Sequence, residues 1–356
     1  MLLATLAILV IAPGVASAWA LRYHNPLRDP ATGKPLSCPD PFVADAQAPQ
    51  TGYVLVCTSG LSKDALPIYR SPDLVHWRRA GFVFPRGHQP WWAIKSTGRG
   101  FGGRYWAPEL YYIQGRWVIY YAAQYDAAKL SLQIPGGGPL ANGALVVGDA
   151  WANSLSGPWH TAALHYRGQF NGLSADAETT GAAIDPSVVQ DPATGLLYLF
   201  WSDQSFQIWA GLLSADGLTL GDQIQPVLHA SEPFDCDPRD HHCTIEAPEP
   251  FEANGSFYVL YSGGSTWDSS YDVGVAESPT PLGPYVNLTR PILRQGGGFY
   301  STGHTSHPIV GPDGKTYILY HARTRPGHQR ASDQRYLMLG RFGWAKGWPA
   351  ITAGSG

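Results

Sequence analysis

The sequence repeats itself five times. A short apolar run of one type recurs as YVLVCTSG from Tyr53, WVIYYAAQ from Trp117, LYLFWSDQ from Leu197, FYVLYSGG from Phe257 and TYILYHAR from Thr316. Each run is rich in β-branched and aromatic residues and bounded by turn residues, the pattern of a short strand. Upstream of each lies a second run with a proline near its start: CPDPFVA, YWAPELYY, AIDPSVV, TIEAPEPF and HTSHPIV. Downstream of several comes a third element with a turn and an aromatic, as in YRSPDLVHWRRAG, LSGPWHTA and SPTPLGPYVN. Pro41, Pro108, Pro186, Pro248 and Pro308 are 67, 78, 62 and 60 residues apart. About sixty residues suffice for one four-stranded blade with its loops, so the spacing predicts an all-β, five-bladed β-propeller over residues 21–350, a single domain. The longer second interval holds the Gly-rich IPGGGPL and the polar NGLSADAETTG, which read as insertions.

Composition agrees with that architecture and narrows the partners. The chain has 41 Gly and 30 Pro among 356 residues and shows no long stretch of helical periodicity. Its formal net charge is -3 and its Lys and Arg are scattered, which leaves no electrostatic footprint for nucleic acid or an anionic membrane. A neutral, hydroxyl-rich ligand suits the 13 Trp and 19 Tyr better, although most aromatics in a β fold are core.

Residues 1–18 carry an apolar run ending in small residues, with Ala16-Ser17-Ala18 matching a cleavage site. They are expected to be a signal peptide for a secreted or periplasmic protein, with a membrane anchor as the alternative because the first residues lack Lys and Arg. Export permits disulfides. The four cysteines fall into two close pairs, Cys38 with Cys57 and Cys236 with Cys243, and local pairing is expected.

In a propeller the first strand of each blade lines the central channel. Asp40, Asp185 and Glu246 occupy the same place in the repeat to within one residue, so they are expected to face one another. Carboxylates gathered in a partly dehydrated pocket cannot all ionise, and the split into one proton-holding acid and one charged base is what glycoside hydrolysis requires. Each has a plainer reading, since an Asp before Pro commonly closes a turn on neighbouring N–H groups. On an extended segment residues three apart point to opposite faces. Only one of Glu246 and Glu249 is therefore expected to face the channel, the other meeting a neighbouring blade or solvent.

The ordered set NPLRDP, PDPFV, RYWAPELYY, IDPSVV, IEAP, GHTSHP, YHAR and RYLMLGRFGWAKGWP resembles glycoside hydrolase family 43 over nearly all of the chain beyond residue 20. The resemblance implies a five-bladed propeller enzyme acting on α-L-arabinofuranosides or β-D-xylosides with inversion. By position it makes Asp40 the general base, Asp185 the modulator of the acid's pKa and Glu246 the general acid; it selects Glu246 over Glu249 and leaves Glu109 structural. His304 matches a position near the axis that helps hold a cation, commonly calcium, with a backbone-satisfied histidine as the alternative. No cofactor is required for the chemistry. Trp106 and Arg323 are candidates for binding sugar, or else packing residues. The expected partner is arabinan, xylan or an oligosaccharide from them, and the expected state a monomer. Two other readings keep the fold: a carbohydrate-binding propeller without catalysis, and a related glycosidase or transglycosylase with another sugar.

Overall fold

The structure is a computed structural model, and it describes residues 21–59, 63–94, 104–131, 139–163, 165–166, 183–203, 207–236, 243–267, 269–326 and 334–354. The expected signal segment, residues 1–18, and most of both insertions lie outside the described residues. Among the described residues the strands form five sheets, one per repeat, and each is antiparallel through its main strands. Blade I contains Phe42–Asp45, Tyr53–Val56, Ala65–Ser71 and Arg78–Phe84. Blade II contains Trp106–Ile113, Arg116–Gln124, Leu145–Ala152 and His160–Ala163. Blade III contains Ile184–Gln190, Leu197–Ser202, Gln207–Leu213 and Thr219–His229, and His165–Tyr166 adds a parallel edge strand. Blade IV contains Ile245–Ala253, Ser256–Gly263, Asp272–Ser278 and Val286–Asn287. Blade V contains Tyr300–Gly303 and Ile309–Val310 on its inner side, then Thr316–Arg323, Tyr336–Ala345 and Trp348–Ala353.

The five apolar runs are the second strands, and their unbroken hydrophobicity has a simple cause. Side chains alternate between the two faces of a strand, and here both faces are covered. Val54 and Val56 enter the core shared with blade II, while Leu55 and Cys57 enter the core shared with blade V. Leu199 and Trp201 pack toward blade II, and Phe200 packs toward blade IV. Leu260 and Ile318 meet between blades IV and V. The interior is thus five wedges between neighbouring sheets.

The ring closes through the chain's beginning. Leu27 N–H donates to Leu337 O and Leu337 N–H to Leu36 O, each at 2.9 Å, tying residues 27–36 to blade V just before blade I starts. The Cys38–Cys57 disulfide then fixes this entry to the second strand of blade I. Cys236 and Cys243 are also bonded, with Cα atoms 3.8 Å apart, so both local pairings expected from the sequence are present.

The lower part of the channel is closed by a pair of buried acids. Glu109 of blade II and Glu249 of blade IV approach one another, and Tyr111 donates to Glu109 while His307 of blade V lies 3.1 Å from Glu249 Oε1. Beyond them a cavity of about 570 Å³ opens at the far mouth, lined by Phe42, Tyr111, Val188, Phe251, His307 and others downstream on the inner strands. Neither Asp40, Asp185 nor Glu246 lines it.

Burial pushes both carboxyls well above the usual range, with the Glu249 charge adding to the rise at Glu109 and the hydrogen bond with Glu109 opposing it at Glu249. Above the ordinary glutamate pKa the folded protein therefore keeps a proton that the unfolded chain has released, and stability falls as pH rises through that window. The slope is about 1.4 kcal/mol per pH unit for one proton. Glu249→Gln, a neutral isostere of the protonated acid, should lose less stability in urea titrations between about pH 5 and pH 8 than the parent. Equal losses would mean that the pair holds no such proton.

Candidate active site

The inner strands of blades II, III and IV begin with the same irregularity. Pairing to the second strand skips a residue between Trp106 and Glu109, between Ile184 and Ser187, and between Glu246 and Glu249, which is a β-bulge. The residue just before the repeat's proline takes a left-handed conformation, with φ of 52° at Asp40, 42° at Ala107, 53° at Asp185 and 55° at Ala247. His304 takes φ 50° in blade V. Such backbone is costly for residues other than glycine, and a following proline adds crowding.

Neighbouring blades hold these residues in place. The Ala107 N–H donates to Thr58 Oγ1 of blade I at 2.7 Å. The Ala247 N–H donates to Asp185 Oδ2 of blade III at 3.1 Å. The His304 N–H donates to Ser262 Oγ of blade IV at 2.8 Å. The Asp40 N–H donates to His321 Nδ1 of blade V at 3.3 Å. At four interfaces, then, a polar side chain of one blade satisfies the strained N–H of the next.

The bulge also revises the alternation expected for Glu246 and Glu249. With an extra residue and φ 55° at Ala247 between them, both turn toward the axis, at different depths. Glu246 lies at the upper mouth, where Tyr271 donates to its Oε1 at 2.7 Å. Glu249 lies deeper, with Glu109 and His307. Tyr271 is itself held tightly: its ring stacks on His321 at 5.8 Å, and a Cβ added at Gly303 would come within 2.3 Å of it.

Asp40, Asp185 and Glu246 converge electrostatically, and their surroundings differ. Asp40 Oδ2 accepts from Thr58 at 2.6 Å and from Arg335 Nη2 at 3.3 Å, while Oδ1 accepts from Arg335 Nη1 and lies 3.2 Å from His304 Nδ1 and 3.4 Å from His321 Nδ1. Burial alone would raise the Asp40 pKa, but the Arg335 guanidinium, with His304 and His321, holds it well below the usual range. Asp185 is pushed well up by burial and by the charges of Glu246 and Asp40. Glu246 is raised by burial and by Asp40, against the hydrogen bond from Tyr271. The arrangement is one carboxyl whose pKa is pulled down beside two whose pKa values are pushed up.

His304 and His321 are buried, which lowers their pKa values to about 4 and about 3, so both are neutral above mildly acidic pH. Among the described residues no group of three His, Cys, Asp or Glu could hold a metal ion. His304 Nδ1 faces Asp40 Oδ1 at 3.2 Å.

Trp106 packs at the head of blade II against Ala122, Leu145 and Ile184, with Arg104 over its ring at 5.3 Å. Arg323 is buried, donates from Nε to Thr266 O at 3.1 Å and lies 5.7 Å from the Trp267 ring centroid.

Thr58, Ser262, Tyr271, His321 and Arg335 were not singled out from the sequence. For three of them a signal was present, because the apolar second-strand runs YVLVCT, FYVLYS and TYILYH each end on a polar residue, here Thr58, Ser262 and His321. Arg335 opens the run RYLMLG, and Tyr271 sits between the second and third strands of blade IV, outside the repeated runs.

The profile of Glycosyl hydrolases family 43 matches residues 34–349. The chain is 28% identical over 311 residues to the extracellular exo-alpha-(1->5)-L-arabinofuranosidase ArbA of Cellvibrio japonicus, covering 80% of each chain. It is 23% identical over 304 residues to the extracellular endo-alpha-(1->5)-L-arabinanase 1 of Bacillus subtilis, covering 82% of each. Among solved structures, a thermostable family-43 glycoside hydrolase superposes with a TM-score of 0.74 at 22% identity, over 94% of this chain and 97% of the other.

Thr58→Val keeps the shape and deletes the hydroxyl that serves both Asp40 and the buried Ala107 N–H. It should cost about 1–3 kcal/mol in chemical denaturation, the penalty for a buried donor without a partner. A change within about 0.5 kcal/mol, the range of an ordinary surface substitution, would contradict the bracing assigned to it.

Proposed function

Because the chain belongs to glycosyl hydrolases family 43, we propose that it hydrolyses α-(1→5)-linked L-arabinofuranosyl residues of arabinan or its oligosaccharides, with Glu246 as acid and Asp40 as base. Two observations support this reading: the buried trio of carboxyls in which Asp40 is shifted down while Asp185 and Glu246 are shifted up, and the named activities of the two curated relatives. Of these, the split within the trio carries the mechanism.

The Glu246 carboxyl gives its proton to the glycosidic oxygen as the bond from C1 to that oxygen breaks. Water attacks C1 from the opposite face and passes a proton to Asp40, so the products are a sugar of inverted configuration and the released alcohol. Asp185 acts as a positioning residue. Its Oδ2 accepts the Ala247 N–H next to Glu246, while the charge that raises the Glu246 pKa is that of Asp40. Arg335 keeps Asp40 ionised at the expense of its basicity, and being the partly exposed member of the group it is the one to yield when water or a sugar hydroxyl enters. Two disulfides and the extracellular names of both relatives support action outside the cytoplasm.

Glu246→Gln should cost most on substrates with poor leaving groups, because an activated aryl glycoside departs with little protonation and an oligosaccharide does not. Glu249→Gln should leave that dependence unchanged, and Asp40→Asn should slow both substrates. Leaving-group sensitivity at Glu249 and not at Glu246 would sink the assignment. The pH profile offers a second check. Arg335 depresses the Asp40 pKa, so Arg335→Gln should move the acidic limb of kcat/KM to higher pH; a limb that stays in place would detach it from Asp40.

A further inference from the structure

Trp267 stands out on the surface at the upper mouth. It is 45% exposed, and it belongs to the loop between Ser256–Gly263 and Asp272–Ser278 that also carries Tyr271, the donor to Glu246. An isolated exposed aromatic is ordinary. This one has a built foundation.

Four features fix it. The Trp267 N–H donates to Ser265 Oγ at 3.2 Å, and the Ser265 N–H donates to Ser270 Oγ at 3.0 Å, so both ends of the loop are pinned. Gly264 has φ 83° and lies so close to Ser270 that a Cβ there would come within 2.4 Å of the Ser270 carbonyl oxygen. The carbonyl of Thr266, the residue before the tryptophan, accepts from both Ser301 Oγ at 2.8 Å and Arg323 Nε at 3.1 Å. Finally, the buried Arg323 sets its guanidinium 5.7 Å from the indole centroid, within cation–π range. A large flat ring is thus held still while much of it faces solvent.

We infer that Trp267 is the platform on which the leaving-group sugar stacks, so that it selects oligosaccharides over substrates with nothing beyond the scissile bond. The inference rests on the reading of Glu246 as acid: that residue protonates the departing oxygen, and the loop that orients it through Tyr271 also flanks the sugar attached to that oxygen. The apolar face of a furanose offers C–H groups to an aromatic ring, and a ring already immobilised loses little entropy on binding. Arg323 then serves the sugar indirectly, by backing the tryptophan.

The test compares an α-(1→5)-arabino-oligosaccharide with the arabinofuranosyl fluoride, which carries no sugar on the leaving side. Trp267→Ala should raise KM for the oligosaccharide about tenfold, with kcat within about twofold, and leave kcat/KM for the fluoride within about twofold. Trp267→Phe should restore most of the oligosaccharide KM. Equal losses on both substrates would reduce Trp267 to a structural role and overturn the inference, as would an unchanged oligosaccharide KM. If the parent protein hydrolyses neither substrate, the arabinofuranosidase reading fails and takes the inference with it. An active parent with an indifferent Trp267→Ala variant sinks the inference alone.

Discussion

The hydrogen bond from one blade to the strained N–H at the head of the next is the interaction on which the rest of the site depends. Left-handed backbone immediately before a proline is unfavourable on two counts, and it survives here because Thr58, Asp185 and His321 each accept from such a residue across a blade boundary, as Ser262 does from the left-handed His304. The wedge-shaped cores bring the blades together. The hydrogen bonds decide how their inner ends are aimed. Positive φ before the proline turns Asp40 and Asp185 toward the axis from one position of the repeat, and the bulge at Ala247 turns Glu246 from the position before it.

That shared placement creates an electrostatic problem which the surrounding residues resolve unequally. Three carboxyls in one dehydrated space favour neutrality; the Arg335 charge acts on all three, but it is Asp40 that the guanidinium hydrogen-bonds directly. The Asp40 charge then helps to keep protons on the other two. The base and the acid are therefore set by one asymmetry: the Arg335 guanidinium contacts Asp40 directly, whereas Glu246 is contacted by the Tyr271 hydroxyl. A hydroxyl from Tyr271 orients Glu246 without adding positive charge, which is what an acid that must retain its proton requires.

Much of this was legible in the sequence because it repeats. The five second strands announce themselves as apolar runs, since both of their faces are buried, and the prolines mark the inner strands. Asp40, Asp185 and Glu246 followed from the register of that repeat. What periodicity could not show was the bulge itself: simple alternation sends Glu249 away from the axis, whereas the extra residue returns it to the channel opposite Glu109. Tyr271 and Trp267 belong to the loop between the second and third strands of blade IV, outside the repeated runs, and Arg335 comes from a segment 295 residues from Asp40 in the chain, so neither a repeat nor a local spacing leads to them.

The account turns on where the protons reside among the three carboxyls. Neutron diffraction from crystals of the deuterium-exchanged protein at about pH 5, between a depressed base and a raised acid, reads this directly. It should show deuterium on the carboxyl of Glu246 and none on Asp40, with the Arg335 guanidinium facing a bare carboxylate. Deuterium on Asp40 with an ionised Glu246 would reverse the roles and contradict the account.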